Sequence, residues 1–265
     1  MYSRHDLAAD LHRLGLMAGD IVMVHASVRA IGEIAGGPDE IHLALKDVVT
    51  ADGTMLMYAG CPRYVDEVGR GNLTAAEEAE VLTKLPPFDP ATARSARDHG
   101  VLVEWFRTWP GSRVNPHPAR FVAWGRHTEY LFETQPWDFA FGHGSALDRF
   151  VQLDGRILLL GSGHDNVTFL HYVEHVADIP ERRLARFKVP VLEDGVTVWR
   201  DMVEVDTSGG AHANWPDRFF ATLVDGYLAD TGNRGGRVGD AVSHVVSARG
   251  LLAYAQPIME RLARA

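Results

Sequence analysis

Apolar and polar positions alternate along the chain in a way that predicts helices interleaved with strands. Near the N-terminus, Leu7, Leu11 and Leu14 recur at helical spacing, and Ser3 is a suitable N-cap for that helix. The apolar run at residues 21–24 is typical of a buried strand. The N-terminal segment therefore predicts a helix followed by a strand.

The same pattern continues through a second helix and a second strand. A glycine-rich turn at residues 36–38 precedes a helix whose apolar face carries Ile41, Leu45 and Val48. Residues 54–58 form another apolar run that predicts a strand. A strand, a turn, a helix and a strand in this order favour a sheet that is covered by helices.

The second half of the chain shows similar signals, although the stretch between Gly60 and Gly100 lacks clear periodicity. A long irregular stretch is typical of a lid or a binding loop. Further elements are predicted at residues 156–160, at 167–177, at 187–205 as two strands turning at 193–195, and over Leu251, Ala255, Ile258 and Leu262. Because no repeat or linker is visible, residues 1–265 are expected to form a single domain.

Composition narrows the class of protein. Hydrophobic residues make up 46% of the 265 residues and charged residues 23%, which excludes disordered and fibrous classes. The formal net charge is -9, so a basic nucleic-acid surface is not expected, whereas a cleft could attract a cationic ligand. The lone Cys61 permits neither an intramolecular disulfide nor a cysteine-based zinc site. No signal peptide or membrane span is evident, which indicates the cytoplasm.

The most informative segment is a strand, a glycine turn and a helix at residues 158–171. A turn at the carboxyl end of a strand is where open α/β sheets bind ligands. Backbone N–H groups at the start of the helix can also meet an anion or a polarised carbonyl oxygen. The plain alternative is a tight turn that needs glycine for its backbone angles. Gly161-x-Gly163 lacks the full dinucleotide-binding fingerprint, which weakens the case for a Rossmann site.

A candidate general base lies on the helix of this segment. Four residues share one helix face: Thr168, His171, Glu174 and His175. His171 could accept the proton of an attacking amine, provided that a carboxylate or a carbonyl holds its other ring nitrogen. Glu204 and Asp206 are candidate partners, because their spacing of two places both carboxylates on the same side of a strand.

The same histidines allow a competing hypothesis. His171, Glu174 and His175 match the H-x-x-E-H pattern of inverted zinc peptidases, in which two histidines ligate zinc and the glutamate acts as base. A third ligand from a distal helix is not evident, and short patterns arise easily in a chain with 13 histidines. A nucleophilic Cys61 and phosphate binding by Arg113 are further hypotheses from residue type alone.

Several ordered sequence blocks resemble the aminoglycoside 3-N-acetyltransferases, an antibiotic acetyltransferase family distinct from the GNAT superfamily. The resemblance covers nearly the whole chain. Its most specific block is LLLGSGHDNVTFLH at residues 158–171, continued by EHVADIP at 174–180. The other matching blocks are residues 24–27, 36–38, 52–54, 85–90, 100–102, 109–111 and 204–207.

The resemblance implies a fold and a reaction. The fold would be an α/β protein, a three-layer α/β/α sandwich with a mixed β-sheet and a long substrate-facing loop region. The reaction would transfer acetyl from acetyl-CoA, without a metal, to the 3-amino group of a 2-deoxystreptamine aminoglycoside, which confers antibiotic resistance. By analogy with the family, His171 is the general base, Glu204 or Asp206 orients it, and Thr168 lies near the thioester.

The resemblance also implies the remaining site residues and the partners. Residues expected to contact acetyl-CoA are His25, Ser27, Val28, Arg29, Gly37 and Arg113. Residues expected to face the antibiotic are Tyr64, Asp66, Glu67, Asp165 and Asp206. Nucleic acid and membrane are not expected partners, and a homodimer is compatible with the sequence. Two alternative functions stay open: a zinc-dependent peptidase and a non-catalytic binder of cationic drugs.

Overall fold

The computed structural model describes residues 1–206, 212 and 215–265. Its helices are α1 (Arg4–Arg13), α2 (Val28–Ile31), α3 (Asp39–Val49), α4 (Ala75–Lys84), α5 (Val101–Thr108), α6 (Thr128–Leu131), α7 (Ala146–Gln152), α8 (Phe169–Val176), α9 (Phe219–Asp230) and α10 (Ala248–Ala263). Its strands are β1 (Ile21–Ala26), β2 (Thr54–Tyr58), β3 (Arg113–Val114), β4 (Phe121–Gly125), β5 (Arg156–Leu160), β6 (Leu184–Glu193), β7 (Val196–Val205), β8 (Gly236–Val238) and β9 (Ala241–Ser247). Short 3-10 turns lie at Arg97–His99 and His164–Asn166.

One mixed sheet organises the chain, with the strand order β3-β4-β2-β1-β5-β9-β8. The three central strands β2, β1 and β5 are parallel, and the strand pairs on either side of them are antiparallel. In this register, Met23 of β1 lies beside Leu56 of β2 and Ile157 of β5. Because parallel strands end at the same edge, the carboxyl ends of β1, β2 and β5 open together, where such sheets bind ligands.

Side chains alternate across the sheet and fill two cores. Met23 of β1 and Leu159 of β5 pack against buried residues of α7, α8, α9 and α10. Val22 and Val24 of β1 point to the opposite face and pack with α1, α3 and α5. Helices on both faces of a mixed sheet confirm the three-layer α/β/α arrangement.

Strands β6 and β7 form a separate antiparallel hairpin. A lone hairpin is marginally stable in water, so this one depends on what it packs against. Its apolar side contacts the irregular segment at residues 60–100, where Phe88 forms backbone hydrogen bonds with Pro190 and Leu192. The hairpin and the irregular segment therefore support each other beside the sheet.

Arg120 connects the irregular segment to the sheet. Its side chain is fully buried and donates hydrogen bonds of 2.7 Å to the backbone carbonyls of both Ala93 and Arg94. The guanidinium also lies 5.6 Å from the centre of the Phe88 ring. Burial lowers the pKa of Arg120 to about 10, so the group stays charged at neutral pH. Arg120 thus fixes the backbone of residues 93–94 by charge-assisted hydrogen bonds.

Lys46 of α3 is a buried cation whose replacement is expected to stabilise the fold. Its ammonium lies 5.0–5.6 Å from the ring centres of Phe106, Trp109 and Trp124 and has no hydrogen-bond partner among the described residues. Burial lowers the pKa of Lys46 from 10.5 to about 8. Burial of the charge therefore opposes folding below pH 8, and that penalty disappears as the pH rises towards 10.5.

We expect Lys46→Met to raise the free energy of unfolding at pH 7 by about 1–2 kcal/mol, since the pKa shift is partly offset by cation–π attraction. The gain should shrink towards zero near pH 10. Urea titrations at both pH values measure it, with the exposed Lys84→Met as the matched control. A loss of stability at pH 7, or a gain that does not depend on pH, would contradict the expectation.

Candidate active site

A cleft of about 500 Å³ opens where β1, β2 and β5 end. The first turn of α8 and the irregular segment before α5 form its other walls. Residues that line it are Val24, His25, Ala26, Ser27, Val28, Arg29, Met57, Tyr58, Asp98, His99, Gly100, Val101, Ser162, Asp165, Asn166, Thr168 and His171. The strand–turn–helix segment that the sequence singled out therefore forms one side of this cleft.

His171 has the geometry of a base in this cleft. Its Nδ1 lies 2.7 Å from Oε2 of Glu174, which is one turn along α8 and has a buried side chain. An ionised carboxylate only accepts hydrogen bonds, so Nδ1 carries the proton and Nε2 keeps its lone pair. The His171 side chain is 27% exposed and lies between the rings of Phe141 and Phe220. Nε2 is the nitrogen that can accept a proton from a ligand.

The carboxylate beside His171 differs from the sequence expectation, which named Glu204 or Asp206. Glu204 instead contacts Nε2 of His175 and accepts backbone N–H groups, so its hydrogen-bonding capacity is taken. Asp206 accepts a hydrogen bond of 3.0 Å from Arg183. Glu174 reaches His171 because residues three apart on a helix are neighbours.

Two further histidines bring neutral imidazole groups to the cleft. Burial, with a smaller contribution from the neighbouring His99, lowers the pKa of His25 to about 4. Burial likewise lowers the pKa of His99, whose ring packs 4.7 Å from the ring of Tyr58. Nε2 of His25 and Oγ of Ser162 are buried without a hydrogen-bond partner within the described part of the chain. Such groups are suited to hydrogen-bond a ligand.

The residues expected to contact acetyl-CoA divide into two groups. His25, Ser27, Val28 and Arg29 line the cleft, since they span the end of β1 and the start of α2. Gly37 lies in the turn before α3 and does not line the cleft. Arg113 is also absent from the lining, because edge strand β3 lies three strands from β1, and its guanidinium pairs with Glu129.

Among the residues expected near the thioester or the antibiotic, Thr168 and Asp165 line the cleft. Burial tends to raise the pKa of Asp165, but hydrogen bonds from Arg218 Nε and the Ala221 N–H outweigh it and lower the pKa. The Asp165 carboxylate is thus partly engaged at the start of α9.

The residues of the loop that was expected to face the antibiotic are not part of the lining of this cleft. Tyr64 lines a separate cleft of about 400 Å³ beside α4. Burial raises the pKa of Asp66, which lies 3.9 Å from Arg70, and Glu67 accepts a long hydrogen bond from Asn72. None of these three expected residues lines the main cleft. Tyr64 has a left-handed backbone with φ 72°, a local turn that periodicity could not indicate.

Sequence reasoning missed several lining residues. The lining residues with polar side chains that had no expected role are Tyr58, Asp98, His99, Ser162 and Asn166. The rule that ligands bind at strand carboxyl ends would have found Tyr58 and Ser162, which end or follow β2 and β5. Asp98 and His99 lie in a segment without periodicity, so their position depends on tertiary contacts alone.

The geometry does not fit a zinc peptidase. His175 donates from Nδ1 to the His171 carbonyl oxygen and contacts Glu204 through Nε2, so neither ring nitrogen is available for a metal. Across the described residues there is no group of three or more side chains arranged to ligate a metal ion. Burial also raises the pKa of Cys61, which disfavours the nucleophilic thiolate.

None of the helices in the described ranges combines the length and the apolar character that crossing a membrane requires.

Comparisons with known proteins bear on what this cleft binds. The family model for aminoglycoside 3-N-acetyltransferase matches residues 23–260. Aminoglycoside N(3)-acetyltransferase III of Pseudomonas aeruginosa is 38% identical over 251 residues, which cover 93% of this chain and 89% of that protein. Sequence similarity thus extends over both cores and the cleft.

Solved structures give the same result. The structure of AAC-IIIb in a binary complex with CoASH superposes with a TM-score of 0.91 at 38% identity, covering 98% of this chain and 97% of that one. The structure of AAC-VIa bound to sisomicin also gives a TM-score of 0.91, at 32% identity and 98% coverage of both chains. The chain belongs to the aminoglycoside 3-N-acetyltransferase family.

Proposed function

We propose that this protein transfers the acetyl group of acetyl-CoA to the 3-amino group of a 2-deoxystreptamine aminoglycoside, with His171 as the general base. The observation that carries the proposal is the His171–Glu174 pair at the wall of the cleft, with Nε2 of His171 left without a partner among the described residues. Family membership supplies the reaction, and the pair supplies the base that the reaction needs.

The proposed chemistry follows from the protonation of the substrate. An aminoglycoside amine is mostly an ammonium at neutral pH and cannot attack a carbonyl until it loses a proton. Bound acetyl-CoA supplies an acetyl group activated as a thioester. His171 Nε2 accepts a proton from the amine as the C–N bond forms, and this proton can then reach the departing sulfur as the C–S bond breaks. The other ammonium proton leaves to solvent through the open cleft before the amine attacks.

Glu174 acts in this scheme as a positioning residue. Its carboxylate holds the proton of His171 on Nδ1 and stabilises the imidazolium that forms when Nε2 accepts a proton. Its buried side chain keeps the hydrogen bond away from competing water. The pair therefore provides a base with a fixed tautomer.

The charge of the cleft is suited to a polycation. Asp98 and Asp165 line it, and the whole chain carries a formal net charge of -9. Asp98 is exposed and can pair with an ammonium group of the drug, whereas Asp165 is partly neutralised by Arg218. Acidic groups thus attract and orient the antibiotic while His171 reacts with one amine.

Residues at the end of β1 support the binding of acetyl-CoA in this proposal. Ser27, Val28 and Arg29 line the cleft where β1 ends, and Arg29 is exposed and can meet a phosphate. The buried polar atoms of His25 and Ser162 require a partner and can contact the pantetheine amides. We place the reaction in the cytoplasm, where acetyl-CoA is made, and propose that residues 1–265 act as one domain.

A thiol-release assay tests the proposal. Purified protein with acetyl-CoA should release one free thiol per acetylated drug for gentamicin, kanamycin, neomycin or apramycin, and NMR of the product should place the acetyl group on the 3-amino nitrogen. Streptomycin, whose aminocyclitol carries guanidinium groups instead of amines, is the matched negative control. Binding of the drugs without thiol release would favour a non-catalytic binder, and acetylation at another nitrogen would contradict the regiochemistry.

A further inference from the structure

A second histidine–glutamate pair lies behind the first. His175 is on the same helix as His171, one turn later, and its Nε2 contacts Oε1 of Glu204 at the end of β7. The side chains of His175 and Glu204 are only 2% and 8% exposed. Neither lines the cleft, so this pair is separate from the groups that meet substrate.

The hydrogen bonds around this pair leave none of its polar atoms without a partner. Nδ1 of His175 lies 2.6 Å from the carbonyl oxygen of His171, which can only accept, so Nδ1 carries a proton. Glu204 accepts backbone N–H groups from Ala140 to Oε2 at 2.7 Å and from Val205 to Oε1 at 2.9 Å. Both nitrogens of His175 and both oxygens of Glu204 are therefore hydrogen-bonded, so the pair holds a fixed position.

Glu204 also stabilises the loop that precedes Phe141 by accepting a hydrogen bond from its backbone. Besides the Ala140 contact, the Phe139 N–H donates to the Val203 carbonyl at 2.9 Å, and the Val203 N–H donates to Asp138 at 2.7 Å. Residues 138–140 are thus attached to β7 by three hydrogen bonds. Since Phe141 follows directly, its position depends on these attachments.

Phe141 is the common neighbour of both pairs. Its ring centre lies 5.4 Å from that of His171 and 5.9 Å from that of His175, and 5.5 Å from that of Tyr58 in the cleft wall. A ring in this position blocks rotation of the His171 imidazole on one side. The His175 Nδ1–H bond to the His171 carbonyl fixes the backbone beneath the same residue.

We propose that His175 and Glu204 are positioning residues that hold the His171 ring against Glu174, acting through Phe141 and the α8 backbone. They exchange no proton with the substrate. The expected effect on turnover rests on the proposed acetyl transfer. The position of the His171 ring can be measured without turnover.

The first test is Glu204→Gln, with Glu193→Gln on the same hairpin as the matched control, since Glu193 forms a partly exposed ion pair with Arg200. Loss of the fixed ring position should lower kcat by about 10- to 100-fold with KM for acetyl-CoA unchanged, because small misplacements of reacting groups have effects of this size. The control should keep native kcat. Native kcat in Glu204→Gln, or an equal loss in the control, would overturn the proposal.

The second test measures the tautomer of the His171 ring directly. Long-range ¹⁵N–¹H NMR of histidine-labelled protein, at a pH where the ring is neutral, should show the Nδ1–H tautomer in the native protein and in Glu193→Gln. Glu204→Gln and Phe141→Leu should show mixed tautomers, as the ring leaves Glu174. Phe141→Leu keeps the site apolar, so it provides the measurement if Glu204→Gln does not fold.

Retention of the Nδ1–H tautomer in Phe141→Leu and in any folded Glu204→Gln protein would overturn the proposal. A native protein that shows the Nδ1–H tautomer but no acetyl transfer would contradict the proposed function and leave the positioning role standing. The two failures are therefore distinguishable.

Discussion

Replacement of His171 by alanine is expected to lower kcat for acetyl transfer by about 10³-fold, within the range of 10²–10⁴ that general-base catalysis contributes. Among the described residues that line the cleft, His171 alone has a ring nitrogen without a partner and a carboxylate on its other nitrogen. His25 and His99 cannot replace it, because burial lowers the pKa of both rings and makes them weaker bases. Loss of His171 therefore removes the base and leaves the rest of the cleft unchanged.

Steady-state thiol release measures this effect, and calorimetric titration with CoA measures binding. Affinity for CoA should stay within about twofold of native. His171 is proposed to act only in the transition state, so its loss should not weaken the binding of CoA. His143→Ala is the matched control, because His143 is a strongly exposed histidine outside the cleft. Turnover that survives His171→Ala would exclude His171 as the base while leaving family membership intact.

Glu174→Gln is expected to lower kcat by about 10²-fold or more, although it removes no group that touches the substrate. The glutamine amide can present its NH₂ group to Nδ1, which then gives up its proton to become an acceptor. The proton moves to Nε2, so the nitrogen that faces the amine is a donor and cannot act as a base. In serine proteases the analogous carboxylate-to-amide change costs about 10⁴-fold for the same reason.

The measurement combines kcat with the tautomer of His171. Glu174→Gln should show the Nε2–H tautomer by ¹⁵N–¹H NMR, and Glu174→Asp should recover part of the activity, since it keeps an acceptor. Glu129→Gln is the control, because Glu129 is exposed and pairs with Arg113 far from the cleft. An unchanged kcat in Glu174→Gln would show that His171 does not need a fixed tautomer.

Sequence periodicity was sufficient to predict the strands and the helix that form the cleft. The apolar runs predicted β1, β2 and β5 close to their observed bounds, and the motif at residues 158–171 predicted a turn leading into α8. These segments were predictable because burial on both faces of a parallel sheet imposes a continuous apolar pattern. Ser3 also caps α1 through the Asp6 N–H, as its residue type indicated.

The pairing of His171 was not predictable from the same signals. Helical spacing placed Glu174 on the face of His171, but both Glu174 and Glu204 satisfied the requirement for a carboxylate. Glu204 is hydrogen-bonded to His175, which is 29 residues away in the sequence. Glu174 is therefore the carboxylate that remains for His171. Contacts between distant elements depend on how the hairpin docks, and no local pattern encodes that.

The irregular segment shows the same limit. Tyr64, Asp66 and Glu67 were expected at the antibiotic, yet Asp98 and His99 of that segment line the cleft. Both groups lie within 40 residues that lack periodicity, and their placement depends on the buried Arg120 and on the hairpin. The resemblance to the family indicated that this segment contributes to the cleft, but it did not predict which of its residues line the cleft.

Arg120 has a consequence for how resistance spectra diversify. It holds residues 93–94 of the irregular segment through their backbone carbonyl oxygens, groups that every amino acid possesses. Substitution of the side chains at positions 93 and 94 by other L-amino acids therefore leaves both hydrogen-bond acceptors of Arg120 in place. Anchoring through the backbone thus separates the position of the segment from its side-chain chemistry, so exposed side chains such as Asp98 can vary at the cleft wall while the His171–Glu174 pair stays in place.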